Sequence, residues 1–310
     1  MKRIGIMFGM ENTFPPALVD HINGMDAELR AEPVKVGATR IDLPSGYDLI
    51  IDRVSHVIPY YRPYLKNAAL RGTIVVNDPF RMSADDKFFT YCRAANAGVA
   101  IPKTVALPSK SHPPGATAPS MRNLEYPLPW KEIFSHIGFP AFLKPLRGGD
   151  PKMVSQVYNE TEFFAAYDQT GDRVMLLQQA IVFDDYVRCY CVGQKNVRIM
   201  RYDPRQPQDH RYIGGEPALD DGARKKILDA CGTLAPILGY DINVLEFAIR
   251  GGIPYAIDLL NPVPDADYYS IGAENFSWFI DAVSALAEEK LKPAAPKKKP
   301  VARPGKRKTP

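Results

Sequence analysis

Residues 244–261 read VLEFAIRGGIPYAIDLLN, two apolar runs that flank an Arg-Gly-Gly turn, and each run contains a single acid. Apolar runs of this length joined through glycines are typical of an antiparallel strand pair. If the turn has three residues, Glu246 lies opposite Ala256, and Asp258 is its diagonal neighbour on the same face of the sheet. A turn of two residues would instead put the two acids on opposite faces.

The two acids predict a metal site. An acid inside an apolar run is costly to bury unless it is paired or bound to a metal. Two carboxylates on one face, completed by phosphate oxygens, are ligands that Mg²⁺ prefers. We therefore predict that Glu246 and Asp258 bind Mg²⁺. The alternative is that Glu246 points to solvent from the outside of the strand.

A second strand pair carries two arginines. The loop predicted over 193–196 has an even length, which places Arg188 directly opposite Arg201. Like charges that face each other across a sheet repel unless an anion lies between them. A triphosphate would satisfy both arginines. The alternative is neutralisation by nearby aspartates, for which the candidates are Asp184, Asp185 and Asp203.

A third feature is a lysine at the end of a strand. Lys144 ends the run Phe-Leu-Lys, and Arg147-Gly148-Gly149-Asp150 follows shortly after. A glycine turn lets backbone N–H groups approach a phosphate, and the lysine adds a fixed positive charge. This pattern predicts a phosphate site, with a plain turn and a surface lysine as the alternative.

The order of predicted elements divides the chain into three parts. Strands and helices alternate in residues 1–80, which is typical of a small α/β domain with a parallel sheet. Residues 81–290 begin with a helix over 83–97 and then show short antiparallel strand pairs, which is typical of an α+β domain. The predicted pairs are 141–145 with 154–158, 187–192 with 197–202, and 243–249 with 253–259. Residues 291–310 are rich in proline and lysine, and we predict that they are disordered.

The charge balance is uneven. The net charge is +4, but nine of the 39 basic residues follow Glu289, so the rest of the chain has 30 basic against 35 acidic residues. The basic segment predicts at most weak, salt-dependent contact with nucleic acid or another acidic partner. No run reaches the ~20 apolar residues of a membrane span, and the N-terminal apolar run is too short for a signal peptide, so we expect a cytoplasmic protein without membrane contact.

Taken in order over about residues 1–270, these pieces resemble the ATP-grasp family, and they are most similar to its glutathione synthetase and ribosomal-protein glutamate ligase branch. Asn77-Asp78-Pro79 with Asp86-Lys87 resembles the segment that leads into the ATP-grasp region. Gln178-Gln179-Ala180-Ile181 resembles the hinge whose backbone binds adenine. The resemblance implies an ATP-grasp fold preceded by a small parallel-sheet domain.

The same resemblance implies a role for each matching residue. ATP binding falls to Lys87, Lys144, Gly148, Gly149, Gln178, Gln179, Ala180 and Ile181, with Asp184 or Asp185 on the ribose. It implies that Arg188, Arg201 and Arg211 are catalytic and stabilise charge near the transferred phosphate. It also implies that Glu246, Asp258 and Asn261 bind Mg²⁺. Asp258 and Asn261 are three residues apart where the family usually has two, so Asn261 reaches the metal only through a bulge or turn.

The activity that the resemblance implies is ATP- and Mg²⁺-dependent joining of a carboxylate to an amine through an acyl phosphate. Small molecules or peptides would supply the carboxylate and the amine, and an oligomer is possible. Substrate contacts are expected near strand ends of the first domain, where Glu11, Asn12 and Arg53 are candidates. Two alternatives stay open: an ATP-binding protein without ligase activity, and an interaction protein that acts through its basic tail.

Overall fold

The computed structural model describes residues 1–148 and 153–292 of the 310-residue chain. It has a mixed α/β architecture with one parallel and two antiparallel sheets, as the sequence predicts. Gly149 and almost all of the predicted disordered tail lie outside the described residues. Within that tail segment Leu291 still belongs to the last helix.

The N-terminal sheet is parallel, with strand order β2-β1-β3-β4. Its elements are β1 (Lys2–Met7), α1 (Phe14–Met25), β2 (Leu29–Pro33), β3 (Leu49–Asp52), α2 (Tyr61–Leu70) and β4 (Ile74–Val76). The central strands are continuously apolar because both faces are covered. Ile4 and Ile6 face one buried core, and Met7 and Ile50 face another.

The predicted helix over 83–97 is wrong as one element. It consists of α3 (Arg81–Ala84) and α4 (Lys87–Asn96). Asp86 separates them, because its extended backbone caps α4 and its carboxylate accepts a hydrogen bond from Phe89 N at 2.8 Å. Aspartate satisfies a free N–H at a helix start. The break fixes Lys87 at the first position of α4.

A four-stranded antiparallel sheet follows, in the order β5-β8-β6-β7. Its elements are β5 (Thr104–Leu107), α5 (Trp130–Ile137), β6 (Ala141–Pro145), β7 (Ser155–Val157), α6 (Glu160–Asp168) and β8 (Met175–Gln179). The sheet and its helices enclose a separate core of aromatic rings that includes Phe134, Phe163 and Tyr167. The strand β6 presents Lys144 at its end.

The third sheet is antiparallel and has five strands, in the order β11-β10-β9-β12-β13. Its strands are β9 (Asp185–Val192), β10 (Asn196–Tyr202), β11 (Tyr212–Ile213), β12 (Ile242–Arg250) and β13 (Ile253–Asn261), with α7 (Asp221–Leu238), α8 (Tyr268–Ile271) and α9 (Ala273–Leu291) beside them. One face packs on α7 and α4 through Cys189, Leu245 and Ile227. The other face packs on α9 through Tyr190 and Val244.

The last helix, α9, joins two parts of the molecule. Its buried residues Phe279 and Val283 share one core with Ile4 and Ile6 of the parallel sheet and with Val192 of the five-stranded sheet. Each buried side chain of this size contributes roughly 1.5–3 kcal/mol relative to exposure. In the part of the chain that the structure describes, no helix combines the length and apolarity needed to cross a membrane.

Candidate active site

A deep cavity with two adjoining lobes lies where the sheets meet. The inner lobe, about 660 Å³, is lined by the end of β6, by residues 180–183 and by β9 and β13. The outer lobe, about 680 Å³, is lined by α3, the end of β13 and, in the N-terminal part, His56, Val57 and Arg62. The residues that line both lobes are Lys87, Gly148, Arg188, Glu246 and Asp258. All five were singled out from the sequence.

The acid pair lies on one face of the sheet, but by a different route from the one predicted. The turn has two residues, Gly251 and Gly252, with φ of +54° and +70°. Glycine adopts these values freely, so the tighter hairpin turn forms. A bulge next to Phe247 then shifts the pairing by one residue and places Glu246 directly opposite Asp258. The three-residue turn was therefore wrong, and the bulge restores the shared face.

Asn261 also reaches the cavity through an irregular pairing. A second register shift along β12 puts Asn261 opposite Val244, two residues from Glu246. The backbone N–H of Asn261 donates to Asn243 Oδ1 at 3.0 Å. Asn261 lines the outer lobe beside Asp258. The bulge that the Asp258–Asn261 spacing requires is present.

The predicted pairing of Arg188 with Arg201 is wrong. The loop between β9 and β10 has three residues, and Gly193 and Gln194 both have positive φ, +63° and +61°. Arg188 consequently faces Met200, and Arg201 faces Val187 on the other side of the sheet. A loop of odd length changes which residues share a face, so the two arginines do not face each other.

Arg188 instead forms an ion pair with the first acid. In the pairing of β9 with β12, Arg188 lies opposite Glu246, and its Nη2 lies 2.6 Å from Glu246 Oε1. Tyr186 donates its hydroxyl to Glu246 Oε2 at 2.5 Å. The guanidinium also stacks 3.9 Å from the ring centre of Tyr202. Burial lowers the pKa of Arg188, but the attraction of Glu246 and of the surrounding tyrosine oxygens together exceeds this effect, so the pKa is raised and the charge is fixed.

Two lysines face the second acid. Lys87 Nζ lies 3.5 Å from Asp258 Oδ2. Lys144 is buried, and its ammonium donates to Tyr91 OH at 2.7 Å, Gln178 Oε1 at 2.8 Å and Ile257 O at 3.3 Å. Burial lowers the pKa of Lys144 to about 8.

The pKa of Asp258 follows from the same charges. Burial raises the pKa of Asp258, but Lys87 and Lys144, with Arg188 and the hydrogen bond from Leu260 N–H, together lower it by more, so the net shift is downward. Asp258 therefore stays ionised.

The predicted adenine hinge has a mixed outcome. Ala180 and Ile181 line the inner lobe, whereas the buried side chain of Gln178 supports Lys144 and donates to Thr104 Oγ1. The N–H groups of Gln179 and Ala180 donate to backbone carbonyls. Within residues 1–148 and 153–292, the N–H of Ile181 has no such partner, which leaves it for a ligand.

Three of the predicted residues lie elsewhere. Arg201, Asp184 and Asp185 line a separate cleft of about 230 Å³ together with Asp203 and Arg205. Asp184 Oδ2 accepts a hydrogen bond from Gly251 N at 2.9 Å, so it caps the β12–β13 turn. The structure does not bring either acid to the inner lobe.

Of the remaining candidates, Arg211 lines the inner lobe, and its Nε donates to Gln206 O at 3.0 Å. Arg53 is buried against Glu11 and the ring of Phe14. Neither Arg53 nor Glu11 lines the two lobes, and Asn12 does not either.

The sequence analysis missed the tyrosines around Arg188. Tyr186, Tyr202 and Tyr212 surround its guanidinium or its partner Glu246. A signal was present, because Tyr186, Arg188 and Tyr190 alternate along β9 and must share a face. It also missed Arg62 and Asp85 in the outer lobe.

The charges around the cavity fit a polyanion with Mg²⁺. The inner lobe is lined by five basic residues (Lys87, Lys144, Arg188, Arg205 and Arg211) against two acids. The described residues contain no cluster of three or more His, Cys, Asp or Glu side chains suited to a metal ion. The hard oxygens of Glu246, Asp258 and Asn261 therefore form an incomplete set. Such a set suits Mg²⁺, which takes further oxygens from phosphates and water.

No family model matches the sequence, and no curated protein matches it either. Solved structures with the same fold do match. A RimK domain ATP-grasp protein from Sphaerobacter thermophilus is 17% identical over 92% of this chain and 98% of its own, with a TM-score of 0.64. The D-alanine–D-alanine ligase of Bacillus anthracis, solved with ATP, is 15% identical over 93% and 97%, with a TM-score of 0.67.

A third similar structure is the VanG D-Ala:D-Ser ligase of Enterococcus faecalis, 16% identical over 92% of this chain and 99% of its own, with a TM-score of 0.64. Identities this low establish the fold alone. The chain has the ATP-grasp fold, and the resemblance seen in the sequence is confirmed at that level.

Proposed function

We propose that the chain binds ATP with Mg²⁺ in the inner lobe and uses it to join a carboxylate to an amine. The observation that carries the proposal is the placement of Glu246 and Asp258 between the two lobes, next to Lys87 and Arg188. A reaction between a nucleotide phosphate and a second substrate needs such a boundary. The similar structures include ligases, one of them solved with ATP, and this supports the proposal.

In this proposal the inner lobe holds the nucleotide. The N–H of Ile181, which has no backbone partner among the described residues, would meet the base. Lys144 would exchange one of its three acceptors for a phosphate oxygen. Glu246, Asp258 and Asn261 would hold Mg²⁺, which would neutralise charge on the phosphates. Gly148, with φ of +89°, lines both lobes and would bring backbone close to the phosphates.

The reaction has two steps. An oxygen of the substrate carboxylate bonds to the γ-phosphorus, the bond to the bridging oxygen breaks, and ADP leaves. The neutral amine then adds to the acyl carbon, loses a proton, and inorganic phosphate departs as the amide forms. Arg188 and Lys87 would stabilise the charge on the transferring group. Catalysis of this type rests on positioning and charge rather than on a protein nucleophile.

The outer lobe would hold the carboxylate and the amine. The guanidinium of Arg62 is fixed by two backbone carbonyls, Ser55 O at 2.9 Å and His56 O at 3.2 Å. Asp85 is fixed by the hydroxyl of Tyr240 at 2.8 Å. Among the residues that the structure describes, neither side chain has an ion-pair partner. A fixed guanidinium suits a carboxylate, and a fixed carboxylate suits a positively charged substrate group.

The test is a screen of carboxylate and amine pairs with Mg-ATP. Release of ADP and phosphate is measured, and mass spectrometry identifies a new amide. We expect ADP release that depends on both substrates and is lost in Arg62→Ala, with Arg224→Ala, an exposed arginine outside both lobes, as the control. ATP binding without ADP release for every pair would contradict the ligase proposal and favour a binding protein.

A further inference from the structure

Arg188 is held at the boundary of the two lobes by a chain of tyrosine hydroxyls. Its Nη1 donates to Tyr212 OH at 2.7 Å. The hydroxyls of Tyr212 and Tyr190 are 2.6 Å apart, and Tyr190 OH donates to Asp265 O at 2.7 Å. Each hydroxyl has a single proton to donate. Because Tyr190 donates to the carbonyl, Tyr212 must donate to Tyr190, and its oxygen is left to accept from Arg188.

The chain lies in surroundings that favour its order. Tyr190 is fully buried, and Tyr212 packs between Tyr190 and the rings that hold Arg188. Burial raises the pKa of Tyr212 to about 12, so its hydroxyl keeps its proton at neutral pH. A hydrogen bond to a charged group is stronger than one between neutral groups. Such a bond favours one orientation of a long side chain.

The far end of the chain is anchored. Asp265 lies in residues 262–267, which follow Asn261 and connect β13 to α8. Arg53 Nη2 donates to Pro264 O at 2.7 Å, and Thr13 Oγ1 donates to Asp267 Oδ2 at 2.9 Å. The carbonyl that ends the hydroxyl chain is therefore fixed to the N-terminal part of the molecule. Pro262 and Val263 of the same segment line the outer lobe.

We propose that Tyr212 is a positioning residue, which through Tyr190 and Asp265 orients the guanidinium of Arg188 toward the group transferred between the lobes. The inference rests on the proposed function, because Arg188 is assigned its role there. Ion pairing with Glu246 and stacking on Tyr202 leave the guanidinium free to turn in the plane parallel to that ring. The hydroxyl of Tyr212 supplies the second fixed point, which a transferring phosphoryl group requires of its charge partner.

The test is Tyr212→Phe, which keeps the ring beside Arg188 and removes the hydroxyl. We expect kcat for ADP release to fall roughly tenfold or more, with KM for ATP nearly unchanged, because only the orientation of Arg188 is lost. Tyr167→Phe is the matched control, since it also removes a hydroxyl that donates to a backbone carbonyl, Pro108 O, but in the core of the four-stranded sheet. The control should leave kcat unchanged.

A double mutant separates positioning from general loss of structure. In an Arg188→Gln background, Tyr212→Phe should have no further effect on kcat, because residues that act together are not additive. An unchanged kcat in the single variant, or a decrease that persists in the double variant, would overturn the inference.

If the wild-type chain releases no ADP, the proposed function fails. The inference is then decided by thermal unfolding in Mg-ATP of the wild type, the two single variants Tyr212→Phe and Arg188→Gln, and the double variant. Additive effects on the melting temperature would overturn it, and non-additive effects would retain the coupling between Tyr212 and Arg188.

Discussion

The two faces of the five-stranded sheet both carry arginines and carboxylates, but they hold them differently. On the cavity face, Arg188 bonds across strands to Glu246, and the two side chains are only 15% and 11% exposed. On the opposite face, Arg201 donates to Gly214 O. Just beyond the end of β10, where the separate cleft and the inner lobe both reach Arg205, this arginine pairs with Asp203 two residues away in the chain.

The difference shows which of the two ion pairs depends on the folded structure. The Arg188–Glu246 pair joins residues 58 positions apart and exists only when the sheet has its register. The Arg205–Asp203 pair is local, and its arginine is exposed. It therefore contributes little to the stability of the fold. A buried pair whose partners come from distant segments suggests a site where charge placement matters more than stability.

The largest effect is expected for Glu246→Gln. Loss of the charge that faces Asp258 should reduce Mg²⁺-dependent ADP release by about a hundredfold or more, since a preorganised charge at the reacting group is worth this much. Release of ADP is measured over a Mg²⁺ titration. Glu274→Gln is the control, because Glu274 pairs with Arg198 on the surface. Full activity of Glu246→Gln would refute the Mg²⁺-binding role proposed for Glu246 on the cavity face.

The next effect compares the two arginines directly. Arg188→Gln leaves Glu246 buried without its partner, which should lower the free energy of unfolding by about 3–5 kcal/mol. Arg201→Gln removes one weak contact to a carbonyl. Its free energy of unfolding should stay within about 0.5 kcal/mol of the wild-type value. Chemical denaturation of both variants measures the contrast. Equal losses in the two variants would end the distinction between the faces.

A smaller effect is expected from pH. The pKa of Lys144 is lowered to about 8, so its ammonium is charged below that pH and neutral above it. Affinity for the ATP polyanion should therefore fall as pH rises through about 8, and kcat/KM for ATP should fall with it. Bound ATP raises the pKa of the lysine, so kcat should decline at a higher pH than kcat/KM.

Lys144→Arg, which stays charged at these pH values, should remove the inflection in kcat/KM. Lys225→Ala, a change in an exposed lysine of α7, should keep it. A profile of the wild-type chain that is flat between pH 7 and 9 would contradict the phosphate role of Lys144.

The smallest effect is expected for Asp185→Asn. Asp185 begins β9 and lines the separate cleft rather than the inner lobe. KM for ATP, measured by ADP release, should stay within about twofold of the wild-type value, as for surface changes away from a site. An increase of tenfold would return Asp185 to the ribose contact that the family resemblance implies and would extend the nucleotide site into the cleft.

The sequence predicted the elements of the site better than their registry. The acids of β12 and β13 were found because a charge in an apolar run needs a partner. The prediction that they share one face of the sheet was right only because a bulge offsets the error in the predicted turn length. Bulges depend on how neighbouring strands pack, and this information is not local to the turn.

Positive φ at Gln194 illustrates the same difficulty. A non-glycine residue in that conformation made the β9–β10 loop odd and moved Arg201 to the other face. Asp184 is a further case, because its carboxylate caps a turn 67 residues later in the chain. Distant partners of this kind follow from the completed fold, whereas the Tyr-Arg-Tyr alternation of β9 could have been read from the sequence.

The position of α9 has a consequence for how the chain acquires its structure. The apolar side chains of β1 and α1 complete their core only with Phe279 and Val283, which are synthesised much later. The four-stranded sheet has its own core and can collapse as soon as residue 179 has emerged. On the ribosome, the four-stranded sheet should therefore fold before the parallel sheet that precedes it in the chain. The parallel sheet should stay sensitive to proteases until α9 has been synthesised.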